Sequence, residues 1–174
     1  MNKYQGFASK SAALGLVIAA GCLLGSTASA DASAGKIVLS GYADGVGGDS
    51  LMAGDYAAII GRLGAHGVGF SLDPVAASTN LCIAYIMTHA WDKADGACDQ
   101  AVRMAKLDQP TGTLYERATH DRQVAIAYSN RAVLHSLEAN PKQAASDLAH
   151  AFALAPDSEL VTRNRAALPG IAGS

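Results

Sequence analysis

Aromatic residues and charges are both scarce in this chain of 174 residues. Only 6% of the residues are aromatic and 16% are charged, whereas 50% are hydrophobic, mostly alanine, leucine, valine and isoleucine. The formal net charge of −2 argues against a nucleic-acid-binding protein, which usually carries a strongly basic patch. The apolar content argues against disorder, because burying it offsets the entropy of ordering. The length fits one domain, and the small side chains favour closely packed helices.

Long hydrophobic runs are also absent. A membrane-spanning helix needs about 20 apolar residues, but the longest run, Ala12–Leu24, is shorter and leads into Gly25. Lys3 and Lys10 precede this run, and the small residues Ala28-Ser29-Ala30 follow it. This order is typical of a secretory signal peptide.

The sequence therefore predicts a signal peptide over residues 1–30, cleaved before Asp31, and export to the periplasm. Secretion and lipid anchoring at Cys22 are the alternatives, although Ala19 stands where lipoprotein signals usually carry leucine. We expect the mature chain to have no membrane span. A flexible glycine-rich segment (31–49) would precede a helical domain (50–168) and a tail (169–174).

Cysteine is scarce too, with three in the chain. Cys22 would leave with the signal peptide, which leaves Cys82 and Cys98. Their separation excludes the CxxC spacing of redox and zinc motifs. An even pair in an oxidising compartment calls for a structural explanation.

Two blocks of the sequence share one pattern, shifted by 50 residues. In each block an asparagine is followed by two alanines with an apolar residue between them. The matched positions are Asn80 and Asn130, Ala94 and Ala144, Cys98 and Leu148, and Ala101 and Ala151. Small residues at helical spacing let two helices approach closely. Each block therefore predicts a helical hairpin, with turns at 88–90 and 139–141.

These positions resemble the tetratricopeptide repeat, a helical hairpin of about 34 residues. The small, tyrosine and closing proline positions of that family hold Cys82, Tyr85 and Lys106 in the first copy and Ala132, His135 and Pro156 in the second. The second tyrosine and the first proline are therefore departures from the family pattern. The resemblance implies an all-α fold of stacked antiparallel hairpins, a short α-solenoid, with repeats near 75–108 and 125–158.

The shift between the two blocks exceeds one repeat by sixteen, and the extra residues lie in 107–124. Within them, Thr113 and Glu116 form the pattern of a capping box, which predicts a long helix from about 113 to 137. Residues 54–59 resemble the start of another helix. Asp157 is a candidate cap for a final helix that ends near residue 168. Both outer helices would cover the ends of the solenoid.

Cys82 and Cys98 fall on the two facing helices of the first hairpin. A disulfide requires Cα atoms within about 7 Å, which closely packed helices allow. The sequence therefore predicts a disulfide, with two buried free thiols as the alternative.

In the resembled family, ligands lie along the concave face formed by the first helix of each hairpin. Carried over in register, the partner-binding residues are Thr79, Ile83, Ile86, Met87, Ser129, Val133, Ser136 and Leu137. This face contains no cation, so recognition of a carboxylate terminus is not expected. It suits a protein or peptide with an apolar face, or a second copy of the chain. The sequence leaves open whether the long insertion helix covers it.

Catalytic motifs are weak. Gly48-Asp49-Ser50-Leu51 matches the nucleophile block of GDSL-type esterases, and Asp147 and His150 match their distant pair. However, Asp147 and His150 fall inside a predicted helix, and residues 36–39 are the only strand candidate. The acidic group of Asp92, Asp95 and Asp99 near His89 is typical of a solvated helix face, and no histidine spacing of the HExxH kind occurs.

We therefore predict no catalytic residue, metal site or cofactor. The predicted function is a non-catalytic, exported protein-interaction module that acts as a scaffold or adaptor. The alternatives are a self-associating structural protein of the envelope and, third, an esterase that uses Ser50.

Overall fold

The structure is a computed structural model that describes residues 36–65, 67–110 and 112–168, with the backbone alone for Phe70. All of the described residues belong to one compact unit, which begins at Ser33. The predicted signal peptide (1–30), Cys22 and the tail (169–174) lie outside the described residues.

Apart from an N-terminal stretch without regular secondary structure (36–42), the described residues form helices joined by turns and include no β-strand, which confirms the predicted all-α class. The helices are α1 (Gly48–Ala53), α2 (Tyr56–Ile59), α3 (Pro74–Met87), α4 (Trp91–Leu107), α5 (Leu114–Leu137), α6 (Pro141–Leu154) and α7 (Glu159–Ala167). A π-helical turn, Ile60–Gly64, extends α2, and a 3₁₀ turn, Val68–Phe70, precedes α3. No helix in these ranges combines the length and apolar character that crossing a membrane requires.

Helices α3 and α4 form one hairpin, and α5 and α6 form a second. The turns occur where the sequence predicts them, and both contain a residue with positive φ, His89 (57°) in the first and Ala139 (60°) in the second. In both turns the next backbone N–H donates to a carbonyl five residues earlier, a common helix ending. The two hairpins therefore share the same turn geometry, which makes the fold repeat-like.

The predicted disulfide joins Cys82 on α3 to Cys98 on α4, with 4.7 Å between the Cα atoms. Both cysteines are fully buried. Helix α3 is buried along nearly its whole length, because α4, the turn after α2 and the N-terminal residues surround it. A helix that is apolar on every side is expected to occupy such a central position.

The long insertion helix is α5, and it begins with the predicted capping box. Thr113 Oγ1 accepts a hydrogen bond from the Glu116 backbone N–H, and the Glu116 carboxylate accepts one from the Thr113 N–H. The last helix differs slightly from the prediction, because its N-cap is Ser158 and not Asp157. The chain turns after Pro156, so α7 begins one residue later than predicted.

Candidate functional site

The chain's own N-terminal segment, residues 36–47, lies against the helices α3, α5 and α7. Residues 36–42 have no regular secondary structure, and alternate residues are bound through their main-chain groups. The groups that bind them are three side-chain amides, those of Asn80, Asn130 and Asn164, which we call the asparagine row. These asparagines lie on α3, α5 and α7.

Each amide in the row makes the same pair of hydrogen bonds. Asn164 accepts from the Val38 N–H at 2.8 Å and donates to the Val38 carbonyl at 2.8 Å. Asn130 does the same with Ser40, at 3.0 and 2.8 Å. Asn80 binds both main-chain groups of Tyr42 at 2.9 Å and also donates to the Val46 carbonyl at 3.1 Å.

The row binds the main chain and not the side chains of the segment. All three asparagines are fully buried, so their amides depend on these bonds to replace water. The bound residues are two apart, which is the period of an extended chain. The intervening residues Ile37, Leu39 and Gly41 therefore face in the other direction, where they line a pocket.

The glycine-rich segment that the sequence predicts over 31–49 is described from residue 36, and its Gly41 packs closely against its surroundings. A Cβ atom at Gly41 would lie 2.7 Å from the Asn80 amide oxygen and 3.0 Å from Ile83 Cδ1. Any larger residue at position 41 would therefore push the segment away from the row.

Beside the segment lies an open pocket of about 620 Å³, which we call the apolar pocket. It is lined by Ile37, Leu39, Gly41, Leu51, Met52, Tyr56, Ile83, Ile86, Met87, His89, Trp91, Val133 and Leu137. None of these residues is an acid, a lysine or an arginine. Four of the pocket's large apolar side chains are more than 40% exposed, namely Ile37, Met52, Met87 and Leu137. The apolar surface therefore continues from the pocket onto the outside of the protein.

Five of the eight predicted partner-binding residues come together in this pocket: Ile83, Ile86, Met87, Val133 and Leu137. Ser136 is half-buried outside it. Thr79 and Ser129 are 1% and 0% exposed and lie outside the pocket lining, and Ser129 Oγ accepts a hydrogen bond from Asn164 at 2.9 Å. The N-terminal segment covers the face on which the predicted partner-binding residues lie. Nothing in the sequence indicates this.

Asn164 is the member of the row that lies outside the two matched sequence blocks. The step from Asn130 to Asn164 equals the length of one tetratricopeptide repeat, about 34 residues. Leu168 stands at the same distance from Leu134, and both are buried. A third copy of the sequence pattern, placed one repeat length after the second, would therefore include Asn164.

Tyr42 anchors the segment with its ring but leaves its hydroxyl buried without a hydrogen-bond partner among the described residues. Burial, followed by the charges of Asp73 and Asp108, raises the pKa of this phenol above its ordinary value. The folded state therefore keeps the proton at pH values where the unfolded chain loses it. Tyr42 therefore makes its full contribution to the free energy of unfolding below about pH 10, the ordinary pKa of tyrosine. This contribution falls as the pH rises further.

We expect Tyr42→Phe to keep or raise the free energy of unfolding at pH 7, by up to about 1 kcal/mol, because the unpaired hydroxyl is removed. The variant should also lose less stability than the wild type above about pH 10. Urea unfolding at both pH values measures these effects. A variant that unfolds at lower urea at pH 7 would show that the hydroxyl has a partner.

A charge network joins the two hairpins on another side. Arg131 donates two hydrogen bonds to Asp147, at 2.8 and 2.7 Å, and one to Asp99 at 2.7 Å. The bonds to Asp147 are the main reason that the guanidinium pKa lies above its usual value. Asp147 is only 4% exposed, so the ion pair between Arg131 and Asp147 includes a buried carboxylate.

The residues of the esterase alternative have other partners. Ser50 lies in the short helix α1, and the carboxylate of Asp147 is bound by Arg131. The His150 ring contacts the Ser146 carbonyl at 2.7 Å and stacks on Tyr128 with 5.1 Å between ring centres. Among the described residues, no hydrogen bond connects Ser50, Asp147 and His150.

No family model, curated protein or solved structure matches this chain.

Proposed function

We propose that this protein is a non-catalytic protein-interaction module whose apolar pocket binds apolar side chains of a partner polypeptide. The pocket carries this proposal, because it combines an uncharged lining with four exposed apolar residues at its edge. Exposed apolar patches of this kind are typical of interaction sites. The patch extends beyond the pocket itself, which favours a polypeptide over a small molecule. Its lack of cations argues against an acidic ligand.

The hairpins are proposed to be of the tetratricopeptide type. The spacing of one repeat length between Asn130 and Asn164 supports this, as do the matching turns at His89 and Ala139. In this protein the asparagine row binds the chain's own segment, so a partner would contact the segment and the helices together. Ile37 and Leu39 of the segment would form one wall of its binding site.

Export is proposed as well. The signal-like residues 1–30 support it, and the disulfide between Cys82 and Cys98 fits an oxidising compartment.

The test of the pocket uses Met87→Glu and Leu137→Glu, at residues that are 44% and 49% exposed, so that folding is preserved. Leu107→Glu is the matched control, because Leu107 is 71% exposed and lies outside the pocket. Peptides selected from a random displayed library on the wild type would be measured by calorimetry. We expect apolar peptides whose affinity falls at least about tenfold in both pocket variants, since each places a charge in an apolar site.

Leu107→Glu should leave that affinity unchanged. Selected peptides that bind all variants equally would contradict the proposal. A wild-type dimer that dissociates in both pocket variants, with no peptide selected, would replace it with self-association.

A further inference from the structure

A group of potential metal ligands lies between α4 and the C-terminal end of α5, outside the lining of the apolar pocket. It consists of Asp95 on α4, His135 on α5 and Glu138, the C-cap residue of α5. One ligand atom from each lies within 4.8 Å of the other two. Asp95 is exposed and Glu138 is half-buried, so both carboxylates can move closer to a bound ion.

The imidazole of His135 is the independent sign that this group binds a ligand. The residue is only 9% exposed, and its Nδ1 atom is buried with no hydrogen-bond partner among the described residues. Leaving such a nitrogen unpaired costs free energy. Nδ1 lies 3.7 Å from Glu138 Oε2, so it points into the group. A cation between them would satisfy both atoms.

The other ring nitrogen, Nε2, faces Asp147 with 3.6 Å to its Oδ2 atom. A carboxylate behind the imidazole is the usual arrangement for histidine ligands, because it orients the ring towards the metal. Asp147 is itself held in place by Arg131. The ring is therefore positioned before any ion arrives.

The charge of the surroundings favours a cation. Four carboxylates come together here, those of Asp95, Asp99, Glu138 and Asp147, and Arg131 is bound to two of them. Imidazole nitrogen and carboxylate oxygen both bind zinc and its transition-metal relatives, whereas calcium and magnesium prefer oxygen ligands alone. We propose that Asp95, His135 and Glu138 bind one divalent transition-metal ion of the zinc type.

The test is calorimetric titration of the chelator-treated, purified chain with Zn²⁺. Asp95→Asn and Glu138→Gln keep size and shape and remove only a charged ligand. Asp92→Asn is the matched control, an exposed acid on the same helix outside the group. We expect one Zn²⁺ per chain, bound at least about tenfold more weakly by each ligand variant and unchanged in the control. Ca²⁺ should bind the wild type far more weakly than Zn²⁺.

The role of His135 is tested with Co²⁺, whose visible absorption reports its ligands. The spectrum should change in His135→Gln and stay constant in His150→Gln, with circular dichroism as the check on folding. The proposal is overturned if Zn²⁺ does not bind, if it binds Asp95→Asn and Glu138→Gln as well as the wild type, or if Ca²⁺ binds equally well. If His135→Gln is unfolded, the two carboxylate variants decide the matter alone.

Discussion

Arg131→Ala is expected to lower the free energy of unfolding by about 3–5 kcal/mol. The arginine side chain is the hydrogen-bonding partner of Asp147, which is 4% exposed and lies on α6 of the same hairpin. Without it, that carboxylate would remain buried with its charge uncompensated. Urea unfolding at pH 7 in the presence of a chelator measures the loss without interference from metal ions.

Arg163→Ala is the control for this effect. Arg163 also forms a short ion pair, at 2.6 Å to Glu159, but both side chains are more than half exposed. Exposed pairs contribute at most about 1 kcal/mol. Replacing Arg131 by methionine and Asp147 by leucine together should recover much of the loss, since no charge is then left buried. Equal effects of Arg131→Ala and Arg163→Ala would contradict the prediction.

Asn130→Leu is expected to destabilise the protein by about 2–6 kcal/mol and to release the N-terminal segment. Leucine keeps the branched shape of the side chain, though not its volume, and removes both hydrogen bonds to Ser40. Each part-buried main-chain group that is left unpaired costs up to about 1–3 kcal/mol. Residues 36–47 should become sensitive to protease while the helical hairpins remain protected. Limited proteolysis with mass spectrometry identifies the cleavage sites.

Asn140→Leu is the matched control, because Asn140 is exposed and its side chain makes no capping bond. It should leave both stability and cleavage unchanged. An Asn130→Leu protein with a protected N-terminus and wild-type stability would show that the asparagine row does not hold the segment.

Local signals in the sequence predicted the helices well. Thr113 and Glu116 are three residues apart and mark the start of α5, since a capping box acts within a single turn. Pro141 marks the first residue of α6 in the same way. The pairing of Cys82 with Cys98 followed from small residues on two adjacent helices. Each of these features depends on residues that are close in sequence.

The sites were harder to predict because their residues are far apart. Asn164 binds the main chain of Val38, and a main-chain contact leaves no pattern in the side chains of the segment. The sequence pattern marks the asparagines at 80 and 130 as repeat positions, but it does not indicate the main-chain groups that they bind. Asp95 and His135 lie on different hairpins, so only the packing of α4 on α5 brings them together.

The bonds of the N-terminal segment also determine when it can fold. Val38 pairs with a residue 126 positions later, and Ser40 with one 90 positions later. Contacts this distant in the chain form slowly, whereas the hairpins close over short separations. During synthesis, Val38 of the segment emerges 126 residues before its partner Asn164 on α7. Docking of the segment onto a completed array of hairpins is therefore expected to be the final step of folding.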